Sequence, residues 1–437
     1  MTPDRIRNAV EVATIDQALR RRRAAVIDAW SLRDEVVLIG AGDLIPRPGR
    51  DDATYRFEAH SEYYYLTDRN RPRGVLAFDP GEGWFDFVAP VSTGDRLWSG
   101  APASDAEGMT TEDLEGWLAD RRPRPLGWLG TPPAKAQVDA GLAEELRFGL
   151  DRVRRRKDAL ELERMQAAER ATRAAFAAVV PLVREGASER AAQIELEAEA
   201  FRHGAEAMAY DTVIAGGTNS AVLHFAPTAR RFRAGELVLI DAGAQHLGYA
   251  SDITRTYPVG ERLDPTQQEL HSIVLRAQRA AIERCRPGVE WRDVHLTAAL
   301  TIAEGLVAFG LLRGDPVSLV QSGAVRLFFP HGVGHLVGLG VRDAGGTPLP
   351  ERRNDPKPFP NLRIDLPLEA GMVVTVEPGI YFVPALLNDP AERREHHDEV
   401  AWDRVDKMLD FGGIRIEDNV LIIDEGHEVI TADVPLL

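Results

Sequence analysis

ELVLIDAGAQHLGYASDITRTY, residues 236–257, places two acids, Asp241 and Asp252, eleven positions apart at the ends of apolar runs. The run LVLI and the alternation in ITRTY both read as strands. Gly243 and Gly248 bracket a turn between them. A hairpin would fold the two acids back beside each other. Asp241 follows four apolar residues, so its carboxylate should be nearly buried. A buried carboxylate needs a cation or several hydrogen-bond donors.

Two further stretches repeat the arrangement. MVVTVEPG (372–379) sets Glu377 at the end of an apolar strand, before a Pro-Gly turn. GIRIEDNVLII (413–423) sets Glu417 two residues after Arg415, on one strand face. A single acid at a strand end is ordinarily a turn or capping residue. Four of them, each ending or interrupting an apolar strand, point to one site. Like carboxylates brought close repel, so a shared site needs compensating cations, and two divalent ions would balance four acids. PHGVGHLVGLGVRD (330–343) adds His331 and His335. Their spacing suits one helix face, but Gly332, Gly334, Gly338 and Gly340 each cost a helix about 1 kcal/mol relative to alanine. The stretch therefore reads as a loop. Oxygen ligands with one imidazole suit Mn²⁺ best, with Co²⁺, Fe²⁺ or Zn²⁺ as alternatives.

The whole chain is ordinary for a globular protein: 437 residues, 44% hydrophobic, 27% charged. Its net charge of −16 argues against nucleic acid or an anionic membrane as partner. The one cysteine, Cys285, cannot form an intrachain disulfide and reads as a small buried apolar residue. That usage fits a reducing compartment. The first residues are too charged for a signal peptide, and no apolar run is long enough to span a membrane. The expectation is a cytoplasmic protein.

Two domains are expected, 1–155 and 156–437. The first reads as a compact α/β domain. It has a helix at Ile15–Ala29, strands at Glu35–Ile39, Glu62–Leu66, Gly74–Phe78 and Trp84–Val88, and a helical stretch at Thr111–Ala119. The run Arg20–Arg23 reads as a solvated helix face. DRVRRRKDALELERM (151–165) opens a long helical pattern reaching Val183. Helices near 188–203 and 265–285 then alternate with hairpin-like strands, which predicts an α+β domain with a largely antiparallel sheet. Residues 344–367 read as a loop and 386–401 as a polar surface insertion.

DAGA…YASDITRTY, PHGVGH, TVEPGIYF and FGGIRIEDN, in that order, resemble the signature blocks of the pita-bread metallopeptidases. That group contains methionine aminopeptidases, aminopeptidase P, prolidases and creatinase. FEAHSEYYYLTD, GVLAFDP and DRLWSG are similar, more weakly, to the amino-terminal domain of aminopeptidase P and prolidase, which methionine aminopeptidases lack. The resemblance implies a C-terminal pita-bread fold behind an N-terminal creatinase-like domain. It implies five ligands, Asp241, Asp252, His335, Glu377 and Glu417, for two divalent ions. A hydroxide bridging them would attack an Xaa-Pro carbonyl, with Glu377 also shuttling the proton. By the same resemblance His224 and His331 face the substrate, and Arg415 steadies the ligand carboxylates. Tyr210 would lie in the substrate pocket, and Arg363 would grip the free carboxylate of a dipeptide. Trp98 would reach into the neighbouring subunit's site of a homodimer. Arg342 departs from the pattern, because family members usually carry histidine there. A guanidinium cannot switch between donor and acceptor, but it would supply a fixed cation for a C-terminal carboxylate.

The run LLNDPA…AWDRVDKMLDFGGIRIEDN resembles bacterial prolidases. The expectation is therefore an Xaa-Pro dipeptidase acting on small peptides with proline second. The alternatives are an aminopeptidase P acting on longer peptides and a non-catalytic pita-bread binding protein.

Overall fold

Short apolar runs build the strands of the computed structural model, which describes residues 3–49, 53–99, 109–131, 138–346 and 362–436. The chain divides into two units, Met1–Arg154 and Arg155–Leu437. In the first, the elements are α1 (Pro3–Trp30), β1 (Val36–Gly40), α2 (Ser61–Thr67), β2 (Val75–Asp79), β3 (Gly83–Val88), α3 (Thr93–Ser99), β4 (Met109–Thr110), α4 (Leu114–Ala119), β5 (Leu126–Leu129) and α5 (Ala140–Arg154). The strands form one mixed sheet in the order β4-β3-β2-β1-β5. Val36, Leu38, Ala77, Phe87 and Trp128 pack its core.

Two expectations fail in this unit. The strand expected at Glu62–Leu66 is helix α2, with Tyr63, Tyr65, Leu66 and Thr67 buried. A short apolar run without alternation fits either element, and burial decides. The arginine run is only half solvated: Arg20 and Arg21 are exposed, but Arg22 is buried. Arg22 Nη1 donates to the Tyr65 carbonyl at 3.2 Å, and Arg23 Nε donates to the Leu66 carbonyl at 2.9 Å. These are carbonyls that the end of α2 leaves without helical partners, where cations are favoured.

The second unit holds α6 (Ala159–Val179), α7 (Glu189–Arg202), β6 (Ala207–Met208), β7 (Val213–Gly216), β8 (Leu237–Ala242), β9 (Ala244–His246), β10 (Tyr249–Ala250), β11 (Ile253–Pro258), α8 (Pro265–Arg284), α9 (Trp291–Phe309), α10 (Pro316–Ser322), β12 (Val373–Val376), β13 (Gly379–Tyr381), α11 (Pro384–Leu387), α12 (Pro390–Glu395), α13 (Trp402–Val405), β14 (Gly413–Arg415), β15 (Asp418–Ile423) and β16 (Gly426–Val429). The helix expected to run on from 151 is broken. A capping box starts α6 afresh: Asp158 accepts from the Glu161 N–H, and Glu161 accepts from the Asp158 N–H.

The strands pair antiparallel, as β7-β8-β11, β12-β15-β16 and β13-β14. One core joins α6 and α7 to β8 and β11, and a larger one joins α8 and α9 to β12 and β15. Helix α9 has no counterpart in the sequence reading. It buries Trp291, Val294, His295, Ala298, Ala299, Ile302, Ala303 and Leu306, the i, i+3, i+4 pattern of a helix face. Cys285, at the end of α8, is fully buried as expected. Residues 386–401 are not a free surface insertion. Leu387, His396 and Val400 are buried, and the Ala401 N–H donates to the Leu311 carbonyl. Most of the expected loop 344–367 lies outside the described residues. Among the described residues no helix is long and apolar enough to cross a membrane.

Candidate metal centre

Strand register brings the first acids together. In the β8-β11 pair Asp241 faces Thr254 and Ala242 faces Ile253, so Asp252 stands just beyond the pairing. Gly243 makes this closure possible, because a Cβ there would lie 1.7 Å from the Ser251 carbonyl oxygen. The Tyr210 hydroxyl sits between the two acids, 2.6 Å from Asp241 Oδ1 and 2.5 Å from Asp252 Oδ1. It carries one proton and can donate to one of them at a time.

The other three side chains arrive from strand breaks. Glu377 follows β12, and its N–H donates to the Val333 carbonyl. Glu417 lies between β14 and β15, and its N–H donates to the Thr254 carbonyl. The glycine-rich stretch is not a helix, as expected, and it runs along β12. There the His335 N–H donates to Thr375 Oγ1 at 3.0 Å and the Thr375 N–H to the His335 carbonyl at 2.8 Å. Asp252, His335 and Glu417 each present one donor atom, all within 4.8 Å of one another. His335 Nε2 is 3.4 Å from Asp252 Oδ2 and 3.7 Å from Glu377 Oε1. All five side chains therefore meet in one buried place.

Their electrostatics call for positive charge. Burial first, then the neighbouring acids, push the Glu417 carboxyl well above its usual range. Burial also raises Asp241, against the pull of Arg415. Glu377 is pushed up to about 7, again mainly by burial. Arg415 is buried among them and offers one cation. Its Nη2 donates to Asp241 Oδ2 at 2.5 Å, its Nε to Thr254 Oγ1 at 3.1 Å and its Nη1 to the Tyr381 hydroxyl at 2.9 Å. Thr254 Oγ1 in turn donates to Glu417 Oε2 at 2.6 Å.

His331 belongs to the same network. Its Nδ1 lies 2.8 Å from the Gly332 carbonyl and its Nε2 2.9 Å from the Tyr381 hydroxyl. An arginine only donates and a carbonyl only accepts, so the protons are ordered: Arg415 to Tyr381, Tyr381 to His331, His331 to Gly332. The ring stays neutral, because burial and then Arg415 lower its pKa to about 3.

A cavity of about 410 Å³ opens onto the cluster. Asp241, His335, Glu377 and Arg415 line it, with His224, His331, Arg342 and Arg363. Tyr210, expected in the substrate pocket, instead bonds the two aspartates. Trp98 lies in the first unit and is 85% exposed. Tyr381, Thr254 and Thr375 were not anticipated. The signal for both threonines was present, because each lies two residues from an acid on its own strand face: Thr254 from Asp252 and Thr375 from Glu377.

The fold and site define a metallopeptidase: residues 163–424 match the model of metallopeptidase family M24, and the chain belongs to that family. Residues 19–115 match the aminopeptidase P N-terminal domain. The chain is 32% identical, over 403 residues, to the probable Xaa-Pro aminopeptidase pepP of Botryotinia fuckeliana, covering 87% of this chain and 86% of that one. It is similar to the structure of aminopeptidase P from E. coli with the inhibitor Pro-Leu, with a TM-score of 0.80, 27% identity and 96% of each chain covered. For the Pseudomonas aeruginosa aminopeptidase PepP the TM-score is 0.78 at 28% identity, covering 96% of this chain and 95% of that one. The expected pita-bread fold with its N-terminal domain is thus present.

Proposed function

We propose that the chain is an Xaa-Pro aminopeptidase, which removes the first residue of a peptide whose second residue is proline. The observation that carries this reading is the meeting of Asp241, Asp252, His335, Glu377 and Glu417 beside one cavity. The relatives favour it over the dipeptidase expected from the C-terminal run, since those matched along most of their length are named Xaa-Pro aminopeptidase. The inhibitor of the E. coli neighbour, Pro-Leu, begins with proline, as does what remains once the residue ahead of proline is gone. A complete donor set does not suit a non-catalytic binding protein.

The donors fit divalent cations. In the neutral ring, His335 Nδ1–H donates to the Leu336 carbonyl at 3.0 Å, which leaves the Nε2 lone pair facing the acids. Four carboxylates balance two divalent ions, and the oxygen-rich set with one imidazole suits Mn²⁺. When bound, such cations would supply a Lewis acid for a peptide carbonyl and would bring the pKa of water toward neutrality. Glu377, which lines the cavity among the other donors, is placed to take the proton of the attacking water and pass it to the leaving proline nitrogen. Arg415 and Tyr210 fix the aspartates, while His224 and His331 border the space where the peptide lies. We read the exposed Trp98 as part of a homodimer contact, which light scattering on the purified protein tests.

A panel from Ala-Pro to Ala-Pro-Ala-Ala-Ala, assayed with Mn²⁺ after chelation, tests the function. Free alanine should be released from peptides of three or more residues and poorly from Ala-Pro. Cleavage of Ala-Pro alone would restore the dipeptidase, and cleavage of none would end the peptidase reading.

A further inference from the structure

A second cavity, of about 630 Å³, lies in the second unit and shares no lining residue with the cavity beside the acids. Tyr257 lines it near the far end of β11, five residues past Asp252 and so about 16 Å along the strand. Val180, Val183, Leu263, Leu275 and Leu436 give it apolar walls. Ligand pockets span roughly 300–1,000 Å³ and pair such walls with a few polar groups.

Helix α8 supplies the polar groups. Gln268, His271, Ser272 and Leu275 follow the i, i+3, i+4, i+7 spacing of one helix face, and all four line the cavity. His271 is only 5% exposed, yet its ring makes no hydrogen bond with any described residue, and its Nε2 is buried without a partner. A buried polar atom left unpaired costs about 1–3 kcal/mol, and folded proteins rarely carry one without a reason. Burial lowers the ring's pKa to about 4, so near neutral pH it is uncharged and offers one N–H donor and one lone-pair acceptor. The charged residues lining the cavity, Glu261 and Arg262, are both exposed and of opposite sign, so neither sign is favoured there.

We propose that this cavity is a second binding site, which takes a neutral, largely apolar molecule through one hydroxyl placed on His271. A hydroxyl both donates and accepts, so it meets the ring in either tautomer. A carboxylate only accepts, and it would lose its water among apolar walls. The site uses neither the acid cluster nor a peptide, so it stands or falls apart from the peptidase reading.

Calorimetry on the purified chain with p-cresol, p-xylene and p-toluate, three molecules of similar shape, tests the site. Binding of p-cresol should be saturable and tighter than that of p-toluate. The ratio of p-cresol to p-xylene affinity should fall about tenfold in His271→Leu, which keeps an apolar wall and removes the hydrogen-bond partner. Leu275→Trp fills the cavity from the same helix face and should abolish binding of both, with the circular dichroism spectrum unchanged. No saturable binding of p-cresol, tighter binding of p-toluate, or an affinity ratio untouched in His271→Leu overturns the proposal. Should His271→Leu fail to fold, Leu275→Trp decides alone: p-cresol bound as tightly as by the native chain overturns the site.

Discussion

Glu417 touches the Thr254 hydroxyl at 2.6 Å and shares its surroundings with three other acids. Glu417→Gln keeps the shape and removes the charge. Bound Mn²⁺, measured by plasma mass spectrometry, should fall, and kcat/KM should drop by about 100-fold or more, beyond the 10–100-fold typical of groups that only orient a ligand. Full metal content with full activity would remove Glu417 from the site. Tyr381→Phe is the contrasting case. It strips the hydroxyl shared by Arg415 and His331 and should lower kcat by about 10–100-fold, with metal content unchanged. At this scale the sequence was legible where an acid interrupts an apolar strand, because burial of a charge demands a partner. It was less legible for Thr254 and Thr375, since threonine in a strand ordinarily needs no further explanation. Tyr381 becomes visible only when β13 is folded onto β14.

The glycine-rich stretch and β12 form a unit through Gly334, where a Cβ would lie 2.0 Å from the Thr375 carbonyl oxygen. Gly334→Ala must push the two backbones apart and loosen the His335 N–H from Thr375. Overpacking of this kind costs about 1–3 kcal/mol. Thermal melts should show the loss, and activity should fall because His335, a proposed ligand, moves with the backbone. An unchanged melting temperature with intact activity would contradict the close approach. Helix α8 carries a separate test. Burial lowers the His271 pKa to about 4, against an unfolded value near 6.5. Between those values the unfolded chain binds the extra proton, so acid favours unfolding. The contribution is whole above pH 6.5 and is withdrawn as pH falls toward 4. By pH 5 about 2 kcal/mol of it is lost. His271→Leu should therefore melt with a weaker acid dependence than the native chain, and parallel pH profiles would refute this. Among the elements, hairpins ending in acids were readable from short apolar runs and from the alternation in ITRTY. Helix α2 was not, because SEYYYLT is apolar without a period. The Arg22 and Arg23 contacts were not readable either, because they depend on α2 being a helix.

Across the molecule, four clustered carboxylates, of which burial raises the titration of Asp241, Glu377 and Glu417, make the second unit dependent on cations for its stability. Stripping metal with EDTA should lower its melting transition, and Mn²⁺ at about 100 times its dissociation constant should restore about 2.7 kcal/mol. A melting profile indifferent to EDTA would argue against a tightly held ion. The class of enzyme was legible because the acids and the histidine that cluster lie in local strand motifs. Dipeptidase and aminopeptidase were harder to separate, since both use the same ligand set and differ in how they receive the far end of a peptide. A last consequence comes from Cys285. Buried at the end of α8, with its thiol pushed up to about 12, it is inert to alkylating reagents near neutral pH. Trp98→Cys or Arg363→Cys would then create the single addressable sulfur in the chain. A fluorophore or spin label attached there would follow movement at that position without any need to remove the native cysteine.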